Sequence, residues 1–190
     1  MHDAPPPLRT DGAALVAQIR AGDRHAFERL FREMYAPVVA FAARYVGDPR
    51  AEELAQELFF DLWQKREQWE LRGSVRAYLF TAARNRALNV RRRDAVEHDW
   101  ADEEGADSVR HLHAPPPRPD ELLDTTERTA TVASALAALP ERARLAMHLR
   151  WRDELSYAEI ADVLGITVKS VENSLARSLK ALRARVESLG

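Results

Sequence analysis

The sequence predicts an all-α protein: two small helical domains joined by a flexible linker, the C-terminal one containing a helix-turn-helix. Three observations carry this. Apolar residues recur at three- and four-residue spacing along most of the chain. Strand signals are nearly absent, with no sustained alternation of apolar and polar residues and no Asn-Gly or Asp-Gly hairpin between such runs. Between two helical stretches, Ala95 to Asp120 turns acidic and poor in large aliphatics, and it contains Ala-Pro-Pro-Pro-Arg-Pro. Such a composition cannot bury a core.

The elements follow in order. Residues 1–11, short and Pro-rich, read as a disordered tail. A short helix covers Ala13 to Arg20 and stops at Gly22. Asp23 caps a second helix that runs towards Tyr45 and ends near Gly47, and Pro37 is expected to kink or interrupt it. Asp48-Pro49 reads as an N-cap followed by proline at the first helical position. That third helix should run to about Gln68, with Leu54, Leu58 and Leu62 as its buried stripe. Gly73-Ser74 marks a break and a new cap; the next helix turns Tyr78, Leu79, Ala82 and Ala83 inward and runs to about Arg93. The first domain is thus expected over 12–94, the linker over 95–122 and the second domain over 123–187. In that second domain one helix starts near Glu121 and ends with Leu136 and Leu139 before Pro140. Another runs from Pro140-Glu141 to Trp151.

Bulk properties exclude several classes. Of 190 residues, 46% are apolar and 31% charged, an ordinary soluble profile. No apolar run approaches the roughly 20 residues that cross a bilayer, so no membrane insertion is expected. The N-terminus lacks the apolar stretch of a signal peptide. With no cysteine, disulfides and Cys-based zinc sites are excluded, and a cytoplasmic location is the simplest reading. The net charge of −2 hides segregation. Arg84 to Arg93 holds five arginines and no acid, whereas Glu97 to Asp107 holds six acids and no Lys or Arg. Separate blocks of opposite sign suggest surfaces with different partners, or solvated helix faces flanking a solubilising tether.

The sharpest motif lies near the C-terminus. Ser156 and Glu159 form a capping box ahead of a short helix to Leu164. Ala161 is small where two helices must cross, Gly165 sits where the turn needs a positive φ, and Val171 returns to the core with Ile160, Leu164 and Ile166. Thr167 caps the last helix, which runs to about Val186 with Val168, Val171, Leu175, Leu179 and Leu182 as one apolar stripe. Lys169, Ser170, Asn173, Ser174, Arg177 and Lys180 are left on the other face. These donors and acceptors suit major-groove edges and phosphates, so this is read as a helix-turn-helix recognition helix. Glu172 either accepts from a cytosine amino group or only positions Lys169 or a neighbouring arginine.

Several further segments resemble one family. Ala51-Glu52-Glu53-Leu54-Ala55-Gln56-Glu57-Leu58-Phe59-Phe60-Asp61-Leu62-Trp63 resembles the polymerase-binding helix of sigma-70 family factors. Ala21-Gly22-Asp23-Arg24-His25-Ala26-Phe27 looks like the opening of the N-terminal domain in their extracytoplasmic-function group. Arg72-Gly73-Ser74-Val75-Arg76-Ala77-Tyr78-Leu79-Phe80-Thr81-Ala82-Ala83-Arg84-Asn85 resembles the promoter-melting helix. Leu139-Pro140-Glu141-Arg142 and Leu155-Ser156-Tyr157-Ala158-Glu159-Ile160-Ala161 look like the start of the second domain. These motifs occur in the family's order from Ala14 to Arg185, the linker excepted.

The resemblance implies roles. The first domain would be sigma region 2, docking on core RNA polymerase through Glu53, Gln56, Glu57, Phe60 and Asp61, with Glu53 in place of the usual aspartate. Arg72, Arg84, Asn85, Asn89, Arg91, Arg92 and Arg93 would face the minus-ten element of promoter DNA, asparagines towards bases and arginines towards phosphates. The loop Trp69 to Ser74 lies where the family captures a flipped base; Trp69 either stacks on that base or belongs to the core. Tyr78 replaces a common tryptophan. The second domain would be region 4, reading the minus-thirty-five element through Thr167, Lys169, Ser170, Glu172, Asn173, Ser174, Arg177 and Lys180. The linker would enter the polymerase cleft or act as a plain tether. A cognate anti-sigma factor is a candidate further partner, and the free protein is expected to be a monomer.

No enzyme activity, cofactor or metal is expected. No nucleophile-base pair, paired carboxylates or phosphate loop stands out, and His111 and His113 lack a third anchored ligand. Two rival readings remain: a stand-alone helix-turn-helix regulator, which would need a dimerisation or sensing domain, and a sigma-like decoy that binds an anti-sigma factor without touching DNA. The arginine block argues against the decoy.

Overall fold

The computed structural model describes residues 12–71, 73–98, 134 and 136–187. Among these the chain is helical throughout, without strands, and it forms two compact units, the first ending at Glu103 and the second starting at Glu104. The tail 1–11, Arg72, the linker from residue 99 onward with His111 and His113, and the helix expected from Glu121 to residue 133 lie outside the described residues.

In the first unit, α1 (Gly12–Arg20) buries Leu15, Val16 and Ile19. Gly22, at φ +89°, turns the chain out of it. Asp23 then caps α2 (Arg24–Val46): its Oδ1 accepts from the backbone N–H of His25 at 2.9 Å and of Ala26 at 3.2 Å. Of the two effects expected of Pro37, an interruption does not occur: α2 runs through it. A proline removes one ladder hydrogen bond and crowds the preceding turn. Here Met34, Val38 and Phe41, all buried around it, hold the helix through tertiary packing.

The start of α3 (Asp48–Gln64) also differs by one residue. Gly47, at φ +79°, is the N-cap, so Asp48 is the first helical residue and Pro49 the second. Asp48 still places its carboxylate in the positive first turn. The helix stops at Gln64 rather than Gln68, and a single 3-10 turn, Arg66–Gln68, follows. Arg66 organises that turn: its guanidinium lies 4.5 Å from the centre of the Trp63 ring and donates to the Trp63 carbonyl at 2.9 Å. Leu54, Leu58 and Leu62 are buried as expected.

Ser74 caps α4 (Val75–His98), its Oγ accepting from Ala77 N–H at 3.2 Å. This helix continues past Arg93 through Ala95–His98, which composition assigned to the linker. No glycine or proline occurs between Gly73 and Gly105, so nothing breaks the backbone at Arg93. Leu30 and Met34 of α2, Leu58 and Phe59 of α3, and Leu79 and Phe80 of α4 form the core with Ile19. The rings of Phe41 and Phe80 meet at 5.0 Å.

In the second unit, α5 (Glu141–Trp151) begins after Pro140 and buries Leu145, Ala146, Met147 and Leu149. The turn after it carries Glu154 at φ +57°, a left-handed position without a glycine. Arg150 spans that turn, donating to the Leu155 carbonyl at 3.0 Å. Then α6 (Tyr157–Leu164) opens with the capping box: Ser156 Oγ accepts from Glu159 N–H at 3.2 Å, and Glu159 accepts from Ser156 N–H at 2.9 Å. Gly165 closes α6 at φ +63°. Thr167 caps α7 (Val168–Glu187), accepting from Ser170 N–H at 3.2 Å.

The apolar stripe of α7 is narrower than expected. Val171 and Leu175 are fully buried, but Val168 is exposed and Leu179 and Leu182 are half-buried. Val168 is the first helical residue, before any neighbouring turn can cover it. Ser178, an unforeseen core residue, is buried on the same side; its hydroxyl donates to the Ser174 carbonyl at 2.9 Å and so carries no unpaired donor into the core.

Candidate nucleic-acid and partner surfaces

On α3 the residues at positions 53, 56, 57 and 60 share the face opposite the leucine stripe. Glu53, Gln56 and Glu57 are exposed, and so is Phe60, at 63%. An aromatic ring this open has no packing role in the unit itself. The face extends onto α2 through residues the sequence reading missed. Phe31, 37% exposed, stacks on Tyr35 at 4.8 Å, and Gln56 Nε2 donates to Tyr35 Oη at 3.5 Å. Their four-residue spacing on α2 was a visible signal.

Asp61, grouped with this face by resemblance, points elsewhere. It accepts from Arg86 of α4 at 2.9 Å. That hydrogen bond, opposed by partial burial and helped by the charges of Arg86 and Lys65, holds its carboxyl below the usual carboxylate range. The physical reason is register: Asp61 is one residue past Phe60 and so lies about 100° round the helix, towards α4.

On α4, Asn85 and Asn89 are exposed one turn apart, and the adjacent Arg92 and Arg93 are exposed too; Arg84 and Arg91 are half-buried. Arg86 was not among the expected contacts, and its pairing with Asp61 could not be read from spacing alone. Trp69 takes the second of its two alternatives, the core. It is only 3% exposed and packs against Tyr78 at 5.3 Å, so it is core and its faces are not open to a base. Its Nε1–H is buried without a hydrogen-bond partner. Burial raises the Tyr78 phenol pKa, with Arg86 acting in the opposite sense. Trp69, Tyr78, Asp61, Arg86, Lys65 and Leu62 line part of a cavity of about 400 Å³ between α3, the loop and α4.

On α7, Thr167, Lys169, Ser170, Asn173, Arg177 and Lys180 are exposed, and Glu172 and Ser174 are half-buried. Glu172 accepts from Lys169 Nζ at 3.0 Å. The hydroxyls of Thr167 and Ser170 meet at 2.8 Å, and Arg177 Nε donates to the Asn173 carbonyl at 3.2 Å. Nearby in sequence, Trp151 is 51% exposed and Tyr157 38%, with the Arg150 guanidinium 5.5 Å from the Tyr157 ring centre. The sequence reading did not single out this aromatic exposure. Among the described residues no group of His, Asp and Glu could hold a metal ion, and no helix is long and apolar enough to cross a membrane.

An all-helical chain of two units, one carrying a capped helix-turn-helix with a basic outer face, has the build of a DNA-binding transcription factor. Comparisons narrow this. The family description "Sigma-70 region 2" matches residues 30–96, and "Sigma-70, region 4" matches residues 122–182. The ECF RNA polymerase sigma factor RpoE of Cereibacter sphaeroides is 30% identical over 179 residues, covering 92% of this chain and 94% of that protein. SigW of Bacillus subtilis is 24% identical over 179 residues, covering 92% and 96%. The solved complex of sigma factor RpoE with the anti-sigma factor NepR from Bartonella quintana superposes with a TM-score of 0.55 at 23% identity, covering 85% of this chain and 96% of that one. The chain belongs to the extracytoplasmic-function (ECF) sigma factors of the sigma-70 family, which direct promoter-specific transcription initiation.

Proposed function

We propose that this chain binds core RNA polymerase through α3 and directs it to promoters by reading two elements, the minus-ten element through α4 and the minus-thirty-five element through α7. The observation that carries the reading is the contrast on α3 between Phe59, 2% exposed, and Phe60, 63% exposed. One aromatic builds the core; its neighbour is presented outward among Glu53, Gln56 and Glu57. An exposed aromatic ringed by polar side chains matches an interface anchor with its polar rim.

On α4, Asn85 and Asn89 offer paired donors and acceptors to bases while Arg92 and Arg93 neutralise phosphate. On α7, Asn173, Arg177 and Lys180 form the corresponding set, with Lys169 oriented by Glu172. Dividing recognition between two units makes affinity depend on both through effective concentration. The chain acts as a cytoplasmic monomer before it joins polymerase. A solved relative bound to an anti-sigma factor supports the same class of regulatory partner here.

Selection of active promoters from a randomised library by the reconstituted holoenzyme tests the assignment. Replacing Asn85 and Asn89 with Ala relaxes the base preference at minus ten alone. Replacing Asn173 and Arg177 with Ala relaxes it at minus thirty-five alone. Exchange of these two outcomes, or no change at either element, contradicts it.

A further inference from the structure

Two ion pairs join α3 to α4. Arg50 of α3 pairs with Asp94 of α4, and Asp61 of α3 pairs with Arg86 of α4 at 2.9 Å. The order reverses between the helices, so they run antiparallel. Eleven residues separate Arg50 from Asp61, which is three helical turns, so both project from one side of α3. The polarity also reverses: α3 supplies the cation at one end and the anion at the other. Sliding α4 along α3 breaks both pairs at once.

The two pairs bracket both functional faces. Glu53, Gln56, Glu57 and Phe60 all lie between Arg50 and Asp61 on α3. Asn89, Arg91, Arg92 and Arg93 all lie between Arg86 and Asp94 on α4, and Asn85 is adjacent. The pair side chains are 33–54% exposed, and ion pairs this open add little to folding stability. What they do supply is direction, because a planar guanidinium meets a carboxylate in few orientations. Buried apolar side chains of both helices also meet in the core, and apolar burial, being non-directional, does not by itself orient the charged groups. Asp61 and Arg86 both line the cavity between α3, the loop and α4, so their ion pair borders it.

We infer that Arg50–Asp94 and Asp61–Arg86 act as a positioning clasp, setting the register of the nucleic-acid face of α4 against the polymerase-facing side of α3. This rests on the function proposed above. Polymerase holds α3; the clasp carries that placement to α4, so the asparagines and arginines arrive where the minus-ten strand separates. Asp61 and Arg86 are positioning residues, and neither has to touch DNA or polymerase.

Charge reversal separates the possibilities. Asp61→Arg, Arg86→Asp, their combination and the milder Asp61→Asn are each assembled with core polymerase. Three quantities are read: affinity for core by fluorescence anisotropy, thermal unfolding, and strand separation at the promoter by permanganate reactivity. Each single reversal is expected to lower strand separation about fivefold, as for loss of one charge-assisted contact, with core affinity and melting temperature nearly unchanged. Asp61→Asn shows a smaller loss in the same direction. The combined swap restores strand separation, because the pair is rebuilt with inverted polarity. Single reversals that leave strand separation intact overturn the clasp. So does a combined swap as defective as the worse single variant, since Arg86 would then act on DNA directly, and so does core affinity falling in step with strand separation. If the unaltered protein binds core and opens no promoter, the underlying function fails and the clasp with it.

Discussion

Replacing Phe60 and Phe59 separately with alanine should give opposite phenotypes from adjacent residues. Phe59 is 2% exposed and meets Phe27, Phe31 and Tyr35 at centroid distances of 6.4, 5.1 and 6.2 Å. Its truncation leaves a cavity and costs about 3–5 kcal/mol of folding stability. Phe60 is 63% exposed, so alanine there removes little packing and shifts stability by less than about 0.5 kcal/mol. The exposed part of the ring is what a partner can still bury. At roughly two thirds of the 1.5–3 kcal/mol typical of a fully buried large apolar side chain, that is about 1–2 kcal/mol. It corresponds to a weakening of core polymerase binding by about five- to thirtyfold. Anisotropy titration of labelled protein with core enzyme measures the affinity, and calorimetry measures the unfolding. The reasoning fails if Phe60→Ala binds core as well as the unaltered protein, or if it melts as early as Phe59→Ala.

Gly165→Ala should destabilise the second unit by about 1 kcal/mol, because the left-handed φ of +63° crowds a Cβ; calorimetry of the chain reads this as an earlier transition. Arg177→Ala with Lys180→Ala should flatten the dependence of promoter affinity on salt by about one unit of slope per lost phosphate contact, a change that a base-only role would not produce. Trp69→Phe should be neutral or mildly stabilising, because it deletes a buried N–H that has no partner; a large loss of promoter opening with unchanged stability would instead give the indole a role at the DNA. The Asp61 carboxyl has a lowered folded pKa, so its contribution to stability, small for so exposed a pair, is complete above the ordinary carboxylate range and is lost as pH falls through the folded value; Asp61→Asn should therefore leave the melting temperature nearly unchanged near neutral pH and slightly flatten its fall across mildly to strongly acidic buffers.

The helix-turn-helix was legible because its determinants are local. A Ser156–Glu159 capping box, Gly165 at the turn and Val171 returning to the core are each set by a few residues of spacing, and each stands where spacing placed it. The caps at Asp23, Ser74 and Thr167 were readable for the same reason. What escaped reading depends on partners distant in sequence. Pro37 fails to break α2 because packed neighbours hold both sides. Of the two alternatives for Trp69, only its contact with Tyr78 selects the core, and Asp61 turns away from the Phe60 face of α3 because Arg86 waits 25 residues away. Ser178 reads as polar but is buried, since its own helix satisfies the hydroxyl. The end of α4 lies beyond Arg93 because the change in charge there carries no glycine or proline that would stop the backbone. Phe31 and Tyr35 show the converse: the four-residue spacing was present, but only contact with α3 marks it as part of an outward face.

Run-off transcription is the most direct test of the central claim that this chain directs core polymerase to promoters. Purified protein is added to sigma-free core enzyme with genomic promoter fragments, including the region upstream of its own gene. Discrete transcripts that require the protein, and that vanish when Arg177 and Lys180 are both changed to Ala, are the expected result. An absence of transcripts together with no retention on core polymerase would contradict the account, leaving a decoy that binds an anti-sigma factor or a stand-alone DNA-binding regulator in its place.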